Sequence, residues 1–133
     1  MVDSASDGEQ GEAPRPLTRA EHDVIEAILS QDVPGVAELR TQLIGMRVLR
    51  HWSPTGSPSV DLETLPEAPR SPLAEHVFPV NANVINDNDE YVGELILWLT
   101  DGRISGLEFS WVTDSMPRSL PPVRNLQIGR SLT

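Results

Sequence analysis

The sequence predicts an α+β fold: two short N-terminal helices packed on one face of an antiparallel sheet of about five strands. Three observations carry this. Apolar residues recur at helical spacing in two blocks before Gly45, they shift towards alternation after Met46, and stretches rich in Pro, Gly, Asn and Asp separate the blocks.

In "PLTRAEHDVIEAILSQD", Thr18 followed by Glu21 fits a capping box, in which side chains satisfy the free N–H groups of a helix start. Val24, Ile25, Ile28 and Leu29 then fall on one stripe, so a helix is expected from Arg19 to Ser30. "VPGVAELRTQLIG" restarts with Pro34 near a first-turn position, puts Val36, Leu39, Leu43 and Ile44 on one face, and stops at Gly45. "MRVLRHW" and "SVDLETL", separated by "SPTGSP", read as a hairpin. "PEAPRSPLAE" is a surface connection, and "HVFPVNANVIND" is a strand broken at Pro79, a pattern that suits a sheet edge. "NDNDE" makes a polar turn into the most apolar run, "YVGELILWLTDGRISGLEFSWVTD", and the Pro- and Arg-containing tail carries a short strand at "NLQI".

The chain has 133 residues, enough for one domain with one core. Residues 1–16 hold almost nothing to bury and read as a disordered acidic leader, with the single α+β domain over 17–133. Twenty acidic residues face ten basic ones, all Arg, for a net charge of -10. Without a broad positive surface, direct binding to nucleic acid or to an anionic membrane is disfavoured. A helix-turn-helix reading of the two helices fails on the same ground, since the second carries only Arg40. The absence of Cys excludes disulfides and thiolate chemistry. No apolar run approaches a membrane span and the N-terminus lacks signal-peptide character, so the expected location is cytoplasmic.

The long hairpin raises the functional question. A two-residue turn at Asp101-Gly102 pairs Leu99 with Ile104, Leu97 with Gly106 and Leu95 with Glu108 on one face. The other face then pairs Trp98 with Ser105, Ile96 with Leu107, Glu94 with Phe109 and Val92 with Trp111. A bulge at Gly102 would shift one strand by a residue, and in either register both faces are apolar, one aliphatic and one holding Trp98, Ile96, Leu107, Phe109 and Trp111. Leaving one in water forgoes about 1.5–3 kcal/mol for each large side chain that could be buried. The cover is a Pro-rich connection (residues 66–73 or the C-terminal tail), a second copy, or a partner.

Signs of catalysis are few. His22, His51 and His76 form no metal-ligand spacing, so no metal or cofactor is expected. "DND", Asp87 to Asp89, lacks the glycine and ligand series of a calcium loop and reads as a solvated turn. In the register above Glu94 and Glu108 lie on opposite faces and cannot act as a dyad. No nucleophile elbow or phosphate loop occurs, and a trio of Ser57, His51 and Asp61 around the first hairpin is weak evidence of a hydrolase.

"DVPGVAELRTQL", "SPTGSPSVDLE" and "GELILWLTDGRISGLEFSWVTDSMPRSLP" together resemble a group of small, mostly uncharacterised acidic actinobacterial proteins over residues 17–122. In that group the loop before "PSVDL" often carries cysteines, where this chain has Thr55 and Ser57, so the resemblance implies no metal or thiol role here. In size, acidity and architecture the chain also resembles proteins that neutralise polymorphic toxins. The expectation is a non-enzymatic protein-binding module, immunity- or adaptor-like and able to self-associate, that acts by occlusion. Trp98, Phe109, Trp111, Ile96 and Leu107 anchor the partner, with Glu94 and Arg103 at the edge. The alternative is a small-ligand-binding protein or enzyme with a pocket between sheet and helices and His51 and Asp61 at its mouth.

Overall fold

The computed structural model of the chain describes residues 14–53 and 56–130. Strand β1 (Arg15–Pro16) precedes helices α1 (Arg19–Ile28) and α2 (Val36–Gln42). Strands β2 (Arg47–His51), β3 (Val60–Glu63), β4 (Val80–Ile85), β5 (Tyr91–Thr100) and β6 (Arg103–Trp111) follow, then a 3₁₀ turn (Val123–Asn125) and β7 (Leu126–Arg130). All seven strands form one antiparallel sheet in the order β1-β2-β3-β6-β5-β4-β7. The class is α+β, as the sequence predicts.

The local signals explain the elements. The Thr18 hydroxyl accepts a hydrogen bond from the Glu21 N–H at 3.1 Å, and the Glu21 carboxylate accepts one from the Thr18 N–H at 2.8 Å, which completes the capping box of α1. α2 starts at Val36 behind Gly35, which leaves Pro34 outside the helix, and ends at Gln42. Its expected apolar face is therefore shorter: Val36 and Leu39 are buried, Leu43 is half-buried, and Ile44, past the last helical turn, is 69% exposed. At the tip of the β5–β6 hairpin Asp101 (φ 52°) and Gly102 (φ 76°) both take positive φ, the condition for the primed turn that the Asp-Gly pair predicts.

Four expectations need correction. The strand count is seven and not about five, because Arg15–Pro16 at the end of the expected leader pair with β2, and the NLQI segment forms a full strand. The rest of that leader, residues 1–13, lies outside the described residues, as does Thr55. β4 is an interior strand: Pro79 does interrupt it, with Val77 bridging to Trp98 before the break, yet β7 pairs with all of β4 from Val80 to Val84 on its far side. Finally, the hairpin register carries a bulge. Thr100 pairs with Arg103 and Leu99 with Ile104, but Trp98 pairs with Gly106, so Ser105 is the extra residue.

One inserted residue reverses every side chain beyond it. Leu97 therefore faces Leu107 and Leu95 faces Phe109, and all four are buried with Leu99 and Ile104. With them in one cluster lie Val24, Ile25, Ile28 and Leu29 of α1 and its end, Leu39 of α2, Val48, Val60 and Leu62 of β2 and β3, and Phe78, Ala82 and Val84. Along β5 and β6 this core face is lined by apolar side chains. The opposite side of β5 and β6 holds Glu94, Ile96, Trp98, Ser105, Glu108 and Ser110, each partly exposed.

Candidate functional site

The second side of the sheet is best followed along one row of paired residues: Arg50 with Asp61, Asp61 with Gly106, Gly106 with Trp98, and Trp98 with Val77. Gly106 is the gap in this row. A Cβ there would stand 3.6 Å from the Cβ and 3.7 Å from the Cδ1 of Trp98, in ordinary van der Waals contact, so the indole lies directly against this position. The Trp98 Nε1–H donates to the Glu108 carboxylate at 3.0 Å. On β3, Asp61 accepts from the Trp52 Nε1–H at 2.9 Å and from the Arg50 guanidinium at 2.6 Å. Two indoles are thus each held by a carboxylate, and Ile96, Val77 and Glu94 complete the patch.

The sequence-predicted anchors divide between the two sides. Trp98, Ile96 and Glu94 share the partly exposed face, now with Glu108 beside them. Leu107 is 0% and Phe109 4% exposed, so both belong to the core and neither forms part of an aromatic surface. Trp111 pairs with Gly93 at the far end of the hairpin and lies two residues from Phe109, which places it on the core side of the strand although 38% of its surface is exposed. Arg103 turns to the connection after β3, donating to Thr64 Oγ1 at 2.7 Å, to the Leu65 carbonyl at 3.2 Å and to the Pro66 carbonyl at 3.1 Å. Trp52 was missed. Asp61 alternates with the buried Val60 and Leu62, and its parity was the signal that could have revealed the partner indole.

The same bulge brings Glu94 and Glu108 to one face, contrary to the opposed placement the straight register gives, with Glu94 opposite Ser110 and Glu108 opposite Ile96. They stand on an open sheet surface, and the Trp98 N–H occupies one Glu108 oxygen.

The alternative pocket is not assembled as expected. Asp61 is engaged with Arg50 and Trp52 on the Trp98 side. His51 follows Arg50 on the strand and points the other way, into a hollow of about 270 Å³ bordered by Arg15, Glu21, Ser57 and Arg118. Ser57, His51 and Asp61 therefore do not converge. A larger hollow, about 450 Å³, lies between Val84, Val92 and Phe109 on one side and Met116, Leu120 and Pro122 of the C-terminal connection on the other. Among the described residues, His22, Asp23 and Glu26 place one possible metal ligand each within 4.8 Å of one another, on the exposed side of α1 where Arg19 also reaches Asp23 at 4.0 Å.

Among the described residues the buried charged group is Glu21, 5% exposed. Burial alone would raise its pKa, but the bidentate Arg15 guanidinium at 2.9 Å on each oxygen and the Thr18 backbone and hydroxyl bonds outweigh it, and the carboxyl titrates below its ordinary range. This pair fixes the β1–α1 junction. Compared with known proteins, the chain matches no family model, no curated protein and no solved structure.

Proposed function

We propose that the protein is a non-enzymatic binding module, immunity- or adaptor-like, whose Trp98 face occludes a basic surface of another protein. One observation carries this reading: the first Pro-rich connection begins beside Arg103 at the hairpin tip and then passes to the core side, and the second lies on the core side as well. In the first, Ser71 bonds to Gly102 and Gly35, and Leu73 packs against the core. In the second, Leu120 packs against the core, and Arg118 lies beside Gly56. Both helices contribute to the same core cluster. Among the described residues no segment is left to cover Trp98, Ile96 and Val77.

Charge selects the partner. Arg47, Arg50 and Arg103 on this side bind Pro14, Asp61 and the 64–66 connection within the protein, whereas Glu63 and Glu94 lie on the same side and the chain as a whole carries -10. An indole at the centre with carboxylates around it suits a cationic, partly aliphatic counterpart such as an Arg-rich surface. The test is capture from cell extract on the immobilised protein, comparing wild type with Trp98→Ala and Glu94→Gln. A specific protein retained by the wild type, eluted by salt, and bound about thirtyfold more weakly by a folded Trp98→Ala variant is the expected result. Equal retention by wild type and both variants would overturn the reading.

For the small-ligand alternative, the 450 Å³ hollow has a volume in the range of ligand sites. A metabolite that raises Tm in wild type but not in a Phe109→Leu variant would favour it.

A further inference from the structure

The hollow of about 270 Å³ into which His51 points is walled by segments far apart in sequence. The start of α1 borders it at Thr18 and Ala20, and a helix start presents the positive end of its dipole. There the Glu21 N–H goes to the Thr18 hydroxyl and the His22 N–H to the Thr18 carbonyl, while the Ala20 N–H has no acceptor among the described residues. Ser57, 6% exposed, lines the hollow from the loop before β3. Its Oγ accepts from the Ser59 N–H at 3.2 Å, and its own hydroxyl hydrogen has no acceptor among the described residues. Arg118 enters from the C-terminal connection, its Nη1 within 2.7 Å of where a Cβ on Gly56 would stand, so the guanidinium lies directly against the loop that carries Ser57. Among the described residues the charged groups on the walls are Arg15, Glu21 and Arg118, two positive and one negative. Glu21 and the His51 Nε2, which accepts from Arg15 at 3.1 Å, hold the Arg15 guanidinium in place.

We propose that this hollow binds the phosphoryl group of a small molecule. A buried hydroxyl hydrogen and a helix-start N–H, both without acceptors and both beside a guanidinium, call for a ligand that only accepts hydrogen bonds and carries negative charge. An oxyanion meets that description. A phosphoryl group fits better than a carboxylate because the donors stand on separate walls, and its terminal oxygens point in three directions where those of a planar carboxylate point in two. The volume sets the size: at about 270 Å³ the hollow is smaller than the range of about 300–1,000 Å³ that drug-sized ligands occupy, so it takes a compact group. One phosphoryl oxygen accepts from the Ser57 hydroxyl, a second from Arg118, and the third faces the Ala20 N–H. The "SPTGSPS" loop lacks the spacing of a phosphate loop in the sequence, yet it supplies Ser57 to a site assembled from several segments. His51 points away from the Trp98 side, so this site is separate from that face and does not depend on it.

The test follows amide chemical shifts of the isotope-labelled full chain at neutral pH as sodium phosphate replaces sodium chloride, at constant ionic strength, up to about 50 mM. Saturable shifts centred on Ala20, Gly56, Ser57 and Ser119 are expected. Glycerol phosphate in a parallel titration separates the two sources of the group: tighter binding assigns the site to a phosphate monoester, equal binding to the free ion. Arg118→Gln is expected to weaken binding about tenfold and Ser57→Ala about fivefold, with part of the loss restored in Arg118→Lys. Core amides that keep their wild-type positions show that each variant is folded. Arg124→Gln removes the same charge elsewhere in the C-terminal stretch and is expected to bind as the wild type does. The absence of saturable shifts with either compound overturns the proposal. So does binding that both Arg118→Gln and Ser57→Ala leave unchanged, or a loss in Arg124→Gln as large as that in Arg118→Gln, which would report net charge alone.

Discussion

Glu21 shows how much one side chain can carry. It caps α1, pairs with Arg15 and is almost wholly enclosed, yet the capping box alone was legible in the sequence. The Arg15 partner depends on β1 docking against β2, which no local pattern announces. Because its pKa is lowered on folding, Glu21 contributes stability that is present above its ordinary value of 4.5 and lost as the pH falls through the folded value. Glu21→Gln is expected to cost about 1–3 kcal/mol at neutral pH, less than the loss of a fully buried charge pair because Arg15 is one-third exposed. Urea midpoints measured from neutral pH down through 4.5 should converge for the two proteins. A difference that persisted unchanged in acid would show that the cost is steric and not ionic.

At the scale of the element, the β5–β6 hairpin decides what the molecule shows to solvent. Its existence, its turn and its alternation were all readable, and Gly102 is further constrained because a Cβ there would come within 2.3 Å of the Ser71 carbonyl. The bulge was not readable. Ser105 and Gly106 have no side chain large enough to reveal which of them leaves the ladder, and a straight register satisfies the apolar pattern as well as the bulged one. What chooses between them is the helices, since only the bulged pairing delivers Leu107 and Phe109 to the same core as Leu97 and Val24. Deleting Ser105 restores the straight register and turns Leu107 and Phe109 outward. The deletion is expected to cost more than about 4 kcal/mol and to abolish a cooperative urea transition followed by tryptophan fluorescence. A transition of near wild-type midpoint would mean that the hairpin absorbs the loss at its tip and that the bulge does not set the faces.

For the whole molecule, Gln42 is the joint. In the sequence it is an ordinary helix residue with surface character; in the fold it is 0% exposed. Its amide N–H groups donate to the carbonyls of Pro69 at 2.7 Å and Gly102 at 2.9 Å, and its Oε1 accepts from the Ile104 N–H at 2.9 Å. One side chain thus ties α2, a Pro-rich connection and the hairpin tip together, partners 27, 60 and 62 residues away. Gln42→Met, similar in shape, leaves those groups unpaired and is expected to lower stability by about 2–3 kcal/mol, read as a lower urea midpoint at unchanged slope. No change would show that water replaces the amide. By itself the sequence determined what depends on near neighbours: the capping box, the helical stripes, the Asp-Gly turn, the strand-forming blocks, and through them the α+β class. Tertiary structure alone decided which residues face the core, that β4 is interior, that the Pro-rich connections lie beside the helices, and that Trp52 joins Trp98 on one surface. The reason is physical: a strand repeats every two residues, so a single bulge or a partner from a distant segment exchanges its faces, and that choice is made by packing across the whole chain.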